Sequence, residues 1–303
     1  MLPITTMCPE AFLLEEERDG YRISAQIKKI WAVEIDLLIK LIDVCKKHSI
    51  RIFAEGGTVL GAARHHGMIP WDDDIDMIMT RSEFVRLCAV ASKEFQYPYF
   101  FQTEETDPGS IRGHAQLRNS ETTGILAYEG KGFRFNQGIF IDIFILDNFP
   151  DAQQDRISYC REISNLSKEI LVRRERGHFC NRDNSFLASV KLVLKKLLYG
   201  FILERRSDYT KYYKRREDII QKYNTCQTAR YVETPFATEK YSYDKMIYED
   251  VAWLDFEWIK IPVPIGYIQY LDKTYGDWHS FVIGENAHGE VFFDPENSYK
   301  KYI

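Results

Sequence analysis

The first strong pattern in the chain is a helical repeat of apolar residues over positions 27–47. Its apolar members are Ile27, Ile30, Trp31, Ile35, Leu38, Leu41, Ile42 and Cys45. Charged residues fall between them, so the pattern predicts a long amphipathic helix that backs a sheet. The short apolar run at 51–55 then predicts a strand. Glu55 either faces a ligand or simply ends this strand, and we favour the second interpretation.

A run of acids follows at residues 72–76, where four of the five side chains are carboxylates. From Asp74 to Met79 acidic and apolar residues alternate before the run turns apolar, which predicts a strand. Period 2 would put Asp72, Asp74 and Asp76 on one face. Carboxylates that close repel one another unless a cation compensates, and Mg²⁺ or Mn²⁺ prefers oxygen ligands of this kind. The run therefore indicates a metal site.

Two glycines stand between the predicted strand at 51–55 and a helical stretch that follows them. Gly56, Gly57 and Thr58 form a turn in which the backbone can come close to a ligand, and the helix N-terminus favours an anion. Arg64 can clamp a phosphate because its guanidinium bonds two oxygens at once; alternatively, it pairs with a surface acid. His65 is a candidate contact for the leaving phosphate. This segment predicts a phosphate-binding site ahead of the acids.

Asp142 interrupts an apolar run at 138–147 that reads as a strand. An acid in such a setting is costly unless it is paired or binds a metal. It either completes a metal site with Asp74 and Asp76 or takes the proton from an attacking hydroxyl; the alternatives are a turn cap or a buried ion pair. Asp147 has turn chemistry and is expected to end the strand. Thr80 and Glu83 are expected to form a capping box at the start of a helix.

These parts together indicate an α+β nucleotidyltransferase fold, with a mixed β-sheet core flanked by helices. The length of 303 residues fits one large domain or two small ones. Because no Gly, Ser or Pro run marks a linker, we predict one catalytic domain over 1–303. Residues 151–230 would form a helical insertion, and 231–303 would complete the domain, with a helix that ends at Tyr275 before Gly276.

Net charge, apolar stretches and cysteine spacing indicate where in the cell the protein works and which partners it avoids. The net charge of −5 argues against nonspecific nucleic-acid binding. The start of the chain lacks the pattern of a signal peptide, no stretch approaches a membrane span, and the six cysteines form no C-x-x-C pair, so we expect a cytoplasmic protein. The basic segment at 185–206 either lies on the inner face of an anionic membrane or packs on the body with its lysines in water.

Three blocks of the sequence resemble the LicD family of phosphocholine transferases, which are relatives of fukutin. They are GGTVLGAARHHGMIPWDDDIDMIMTRSEF, GIFIDIFILDNFP and PVPIGYIQYLDKTYGDW. The resemblance implies a Mg²⁺- or Mn²⁺-dependent transferase with Asp74, Asp76 and Asp142 as catalytic and metal-binding residues. It also makes Arg118 a candidate contact for donor or acceptor, although Arg118 could equally be a surface charge at a strand end.

The implied donor is CDP-choline or another CDP-alcohol, and CMP would be released. The implied acceptor is a hydroxyl of a cell-surface glycan, such as teichoic acid or lipopolysaccharide, or of its lipid-linked precursor. The usual proline pair after the third block is missing here, which leaves the acceptor open. A nucleotidyltransferase that uses an NTP and a non-catalytic glycan-binding protein are the competing interpretations.

A choline head group would need an aromatic cage, because a cation over ring faces gains about 0.5–2 kcal/mol. The candidates are Trp71, Tyr128, Trp253, Trp258, Tyr267, Tyr270 and Trp278.

Overall fold

The structure is a computed structural model that describes residues 2–127, 129, 133–177, 208–234, 236–283 and 289–303, with the backbone alone at 175–177. Its α-helices are α1 (Ala25–Lys47), α2 (Gly56–Arg64), α3 (Arg81–Glu94), α4 (Gln153–Gly177), α5 (Thr210–Ile220) and α6 (Tyr267–Tyr275). The predicted helices at the start and near the end of the chain are confirmed. Tyr128 and the basic segment 185–206 lie outside the described residues.

The strands are β1 (Glu16–Arg18), β2 (Tyr21–Ile23), β3 (Phe53–Ala54), β4 (Asp76–Thr80), β5 (Tyr99–Gln102), β6 (Ala115–Asn119), β7 (Thr123–Leu126), β8 (Ile139–Phe149), β9 (Arg230–Thr234), β10 (Ser242–Asp244), β11 (Val251–Phe256), β12 (Ile259–Pro264) and β13 (Val291–Asp294). Seven of them form a mixed sheet in the order β10-β9-β8-β4-β3, with β6 also beside β8 and β5 beside β6. The predicted α+β class is confirmed.

The long strand β8 organises this sheet. It runs parallel to β4 and antiparallel to both β6 and β9. Its apolar side chains are buried, as a strand covered on both faces requires. Because β8 touches three other strands, the acids that it carries lie beside the side chains of three distant segments.

Helix α1 packs against the sheet through a continuous apolar face. Trp31, Ile35 and Leu38 are fully buried there. The helix begins after Ser24, whose side chain accepts a hydrogen bond from the Ile27 N–H at 3.3 Å. The Trp31 indole N–H donates to the backbone oxygen of Asp72 at 2.9 Å, so this helix also fixes the acidic run.

The prediction that Asp72, Asp74 and Asp76 share one strand face is wrong, because β4 begins only at Asp76. The preceding residues form a turn in which the Asp72 N–H donates to the Ile69 oxygen at 2.9 Å. The pairing of β4 with β8 begins at Asp76, and just ahead of it the Ile75 oxygen accepts from the Asp142 N–H at 3.0 Å. Residues 72–75 are therefore a loop, called the acidic loop below, that leads into the strand.

Two smaller predictions are also wrong. Asp147 does not end β8: it is buried within the strand and forms an ion pair with Arg81 at 2.7 Å. Thr80 occupies the N-cap position of α3 but makes no side-chain cap, and Glu83 pairs with Arg86 instead. In both cases a nearby arginine supplies a stronger partner than the local backbone.

The region after β8 is helical where it is described, as the sequence predicted. Helices α4 and α5 pack against each other, and β13 returns to pair with β7. The division into one domain with an insertion at 151–230 stays a prediction. In the part of the chain that the structure describes, no helix is both long and apolar enough to cross a bilayer.

Candidate active site

A cavity of about 840 Å³ opens beside the sheet. Its walls come from the start of α2, the acidic loop, the first half of β8, β9 and helix α6. Segments from most of the length of the chain therefore meet in one place. The cavity contains the predicted acids Asp74, Asp76 and Asp142 together with Gly56 and Gly57.

Asp76 and Asp142 lie side by side on neighbouring strands. They are partners in the parallel register of β4 and β8, so their side chains point to the same face of the sheet. Burial, followed by repulsion from Asp74 and Asp142, raises the pKa of Asp76 well above its usual value. The structure thus brings the two predicted strand acids together at the floor of the cavity.

Asp142 is held by a row of polar side chains from β6 and the residue before it. Its Oδ1 accepts hydrogen bonds from Gln116 Nε2 at 2.6 Å and from His114 Nε2 at 3.1 Å. Burial alone would raise the pKa of Asp142, but His114, Gln116 and Arg112 together lower it below its usual value. Asp142 is consequently an oriented, ionised carboxylate.

Arg118 does not line the cavity. It is fully buried, and its guanidinium donates to Gln102, to the Gly138 oxygen and to the Oε1 atom of Gln116. That last bond turns the Gln116 amide so that its N–H faces Asp142. Arg118 is therefore a positioning residue, neither the predicted ligand contact nor a surface charge. Sequence reasoning missed His114 and Gln116, although their alternation with Arg118 would place all three on one strand face.

The acidic loop gathers three carboxyl groups, of which those of Asp72 and Asp74 line the cavity. Ligand oxygens of Asp72, Asp73 and Asp74 lie within 4.8 Å of one another. Burial and the neighbouring Asp74 raise the pKa of Asp72 to about 8. Beneath the loop, Glu34 of α1 is 1% exposed, and burial and the three loop acids raise its pKa well above its usual value.

This donor set fits a hard divalent cation. All the candidate ligands are carboxylate oxygens, which Mg²⁺ and Mn²⁺ prefer. Burial and then repulsion between neighbouring acids raise the pKa of both Asp72 and Asp76, and a bound cation would oppose this repulsion. Asp74 is close enough to raise the pKa of both Asp72, in the loop, and Asp76, in the strand. The predicted metal ligands were Asp74, Asp76 and Asp142, so the prediction did not include Asp72.

The glycine pair forms the first turn of α2, with Glu55 at the N-cap position. Gly56 has a φ of +54°, which favours glycine, and its N–H donates to the Tyr270 hydroxyl at 3.0 Å. A Cβ at Gly57 would lie 2.6 Å from Asp72 Oδ2, so the acidic loop packs directly on this turn. Thr58 is buried and accepts from the Asp76 N–H at 2.8 Å. Thr58 thus positions an acid, while the glycines face the cavity.

Arg64 lines the cavity at the other end of α2. Its guanidinium donates to the backbone oxygens of Trp278 and Ser280 at 2.9 and 3.0 Å, which ties down the segment after α6. The buried His65 does not line the cavity: its Nε2 accepts from Arg64, and its Nδ1 lies 2.7 Å from Asp19 Oδ2. His65 is placed to orient Arg64, and Arg64 remains available at the wall.

Aromatic side chains cover much of the remaining wall. Of the predicted cage residues, Trp71, Tyr270 and Trp278 line the cavity, and Trp253, Trp258 and Tyr267 do not. The sequence analysis missed the other aromatic residues of the wall, which are Phe144, Phe236, Tyr241, Tyr243 and Tyr275. No periodic pattern marks them, because they come from separate elements, among them β8, β10 and α6.

Two buried glutamates also face the cavity. Burial raises the pKa of Glu55 to about 8, and burial together with Glu55 raises the pKa of Glu233 well above its usual value. The interpretation that Glu55 merely ends a strand is wrong, since it lines the cavity and accepts a hydrogen bond from the Tyr270 hydroxyl.

Comparison with known proteins gives one family. Residues 49–151 match the family model described as LicD/FKTN/FKRP, nucleotidyltransferase domain. A lipopolysaccharide cholinephosphotransferase LicD of Haemophilus influenzae is 29% identical over 241 residues, covering 78% of this chain and 84% of that protein. An uncharacterized protein of Rickettsia prowazekii is 27% identical over 139 residues, covering 46% of this chain and 47% of its own length. The matched family region includes the glycine turn, the acidic loop and Asp142.

Proposed function

Because the chain belongs to the LicD family, we propose that it transfers phosphocholine, or a similar phospho-alcohol, from a CDP-linked donor to a hydroxyl of a cell-surface glycan or its lipid-linked precursor. The observation that carries this proposal is the in-register pair Asp76 and Asp142 beside the acidic loop and the glycine turn. These parts match the needs of phosphoryl transfer, which depends on positioning and on compensation of charge.

Asp74, Asp76 and Asp142, with Asp72 beside them, are the residues that would hold Mg²⁺ or Mn²⁺. The ion would supply positive charge to the diphosphate of the donor and to the CMP that leaves. The N-terminus of α2 offers the Gly57 N–H to the diphosphate, since the N–H groups of Gly56 and Thr58 donate to the Tyr270 hydroxyl and the Glu55 oxygen. Arg64 offers a guanidinium at the same wall.

The chemical step exchanges one P–O bond for another. The acceptor hydroxyl oxygen attacks the phosphorus distal to the nucleoside, the bond from that phosphorus to the CMP oxygen breaks, and the hydroxyl proton passes to the Asp142 carboxylate. Gln116 and His114 both bond Oδ1 of Asp142, so Oδ2 is the oxygen placed to take the proton. The products are the phospho-alcohol ester and CMP.

We place the reaction in the cytoplasm, where lipid-linked glycan precursors present their head groups at the inner face of the membrane. The five cysteines among the described residues are free, which agrees with a reducing compartment. Contact of segment 185–206 with that membrane stays a prediction.

The test is product analysis after incubation with CDP-choline, Mg²⁺ and a free or lipid-linked amino-sugar acceptor. We expect CMP from the wild type and none from Asp74→Ala. CMP from CDP-ethanolamine, CDP-ribitol or CDP-glycerol, but not from CDP-choline, would keep the reaction and change the donor. Inertness towards every CDP-alcohol, with pyrophosphate released from an NTP, would replace the proposal by the nucleotidyltransferase reaction.

A further inference from the structure

The loop that leads to His114 has a strained backbone. It connects β5 to β6 over residues 103–114 and is called the β5–β6 loop below. Ile111 has a φ of +40°, a left-handed conformation that a β-branched residue rarely adopts. Gly109 and Gly113 also have positive φ, at +97° and +79°. Such a backbone persists only where surrounding contacts hold it, so the contacts of this loop determine where His114 lies.

The helical region after β8 supplies contacts that hold this loop. Arg174, near the end of α4, donates from Nε to the Gly109 oxygen at 3.2 Å. The Tyr209 hydroxyl, just before α5, donates to the Glu104 carboxylate of the loop. Glu104 in turn accepts from the N–H groups of Gly109 and Ile111 at 3.1 and 3.0 Å. The strained backbone is therefore held by residues that lie 65 and 105 positions further along the chain.

A buried ion triad joins α4 to the end of the β5–β6 loop. The fully buried carboxylate of Glu129 lies 2.8 Å from the Arg112 guanidinium and 3.2 Å from that of Arg174. Both arginines also face buried rings. Arg174 lies 4.6 Å from the Phe133 centroid, and Arg112 lies 5.8 Å from the Phe135 centroid. Because removing one partner from a buried ion pair leaves an uncompensated charge, this triad strongly favours a single arrangement.

The last residues of the loop act directly on the reacting carboxylate. His114 Nε2 lies 3.1 Å from Asp142 Oδ1. Burial raises the pKa of Asp142, and His114, Gln116 and Arg112 oppose this rise, so the charge of Arg112 reaches Asp142 as well. Arg112 and His114 stand on either side of a single glycine. A shift of the loop would therefore move both groups relative to Asp142.

We propose that Arg174, Glu129 and Arg112 are positioning residues. Through them helix α4 holds the β5–β6 loop and fixes His114 against Asp142. The inference rests on the proposed function and adds to it a role for α4, which lies beyond the residues that match the family model. The described side chains of α4 do not line the cavity, so the helix contributes to turnover without touching the donor.

The kinetic experiment measures CMP release from CDP-choline by Arg174→Ala. We expect kcat to fall about tenfold while the KM of the donor stays within about twofold, because a displaced His114 slows the step without removing a donor contact. Arg173→Ala is the matched control and should keep the wild-type kcat, since Arg173 donates to the Tyr212 hydroxyl of α5 at 2.8 Å. In a His114→Ala background, adding Arg174→Ala should lower kcat by less than about threefold, because the effect passes mainly through His114.

A second readout does not depend on turnover. The ring nitrogens of His114 give signals in long-range ¹H–¹⁵N spectra of histidine-labelled protein, and their loss in His114→Ala assigns them. We expect Arg174→Ala to shift these signals and Arg173→Ala to leave them in place. Tyr209→Phe, which removes only the hydroxyl that bonds Glu104, should shift them in a protein that melts like the wild type.

The outcomes separate the two proposals. Unshifted His114 signals in folded Arg174→Ala would overturn the positioning role, and so would an equal loss of kcat with and without His114. If thermal melts show that Arg174→Ala does not fold, unshifted signals in Tyr209→Phe decide against it. Absence of CMP release from every CDP-alcohol would instead contradict the transferase, and the His114 signals would still test the positioning residues.

Discussion

Gln116 is the residue whose replacement tests the orientation of Asp142 most sharply. Its Nε2 donates to Asp142 Oδ1 at 2.6 Å, and its Oε1 accepts from the fully buried Arg118. A hydrogen bond to a charged group contributes about 1.5–3 kcal/mol. If that bond holds Asp142 in its reactive position, Gln116→Ala should lower kcat by about 10- to 150-fold, since each 1.4 kcal/mol is tenfold.

The same substitution should also reduce stability, because Arg118 loses one of its acceptors inside the protein. We expect the free energy of unfolding to fall by about 1–3 kcal/mol. Gln116→Glu separates the two effects. It keeps an acceptor for Arg118 but replaces the donor to Asp142 with a second carboxylate. This variant should stay closer to the wild type in thermal midpoint and lose activity at least as strongly as Gln116→Ala.

The assay is CMP release at saturating donor, with thermal unfolding followed by circular dichroism. Gln154→Ala, an exposed glutamine near the start of α4, is the control and should match the wild type in both measurements. If Gln116→Ala and Gln116→Glu both keep kcat within about twofold of the wild type, the orientation of Asp142 does not depend on Gln116.

Two further substitutions change residues that lie against the acidic loop. Gly57→Ala should fold normally, because its Cβ would meet only the end of the Asp72 side chain, at 2.6 Å, and that side chain can move away. We expect kcat to fall about tenfold, because the Asp72 carboxylate would be displaced from its place beside Asp74. Circular dichroism tests the folding and CMP release tests the rate. Glu34→Gln should raise the melting temperature without divalent cations at pH 8 but not at pH 4. The pKa of Glu34 is higher in the folded protein than in the unfolded chain, so above pH 4.5 the unfolded chain loses the Glu34 proton while the folded protein still holds it. The free energy of unfolding of the wild type therefore falls as the pH rises above 4.5.

Local patterns predicted those parts of the molecule that a single segment determines. The apolar period of residues 27–47 predicted α1 to within two residues, and the apolar run at 138–147 predicted most of β8. The prediction of a strand over the acidic loop failed because alternation alone favours a strand, whereas the residue pairing of β4 with β8 begins only at Asp76. The prediction that Asp147 ends the strand failed because its ion-pair partner Arg81 lies 66 residues away in the sequence.

The composition of the cavity was less accessible to sequence reasoning. Glu55 and Tyr270 are 215 residues apart yet share a hydrogen bond, and Glu233 joins them through the pairing of β9 with β8. Only the topology of the sheet brings such residues together. Arg118 shows the opposite case: the family resemblance made it a candidate for a ligand contact, whereas the structure buries it and uses it to support Gln116.

We propose that the acids of β4 and β8 carry out a metal-dependent transfer from a CDP-alcohol. Its most direct test is the rate of CMP release from CDP-choline before EDTA, after EDTA and after restoration of Mg²⁺, in the wild type and in Asp76→Asn. We predict that EDTA abolishes the wild-type rate, that Mg²⁺ restores it, and that Asp76→Asn lowers the rate measured with Mg²⁺ by about a thousandfold or more. A rate that withstands EDTA, or an Asp76→Asn variant with wild-type turnover, would contradict the account.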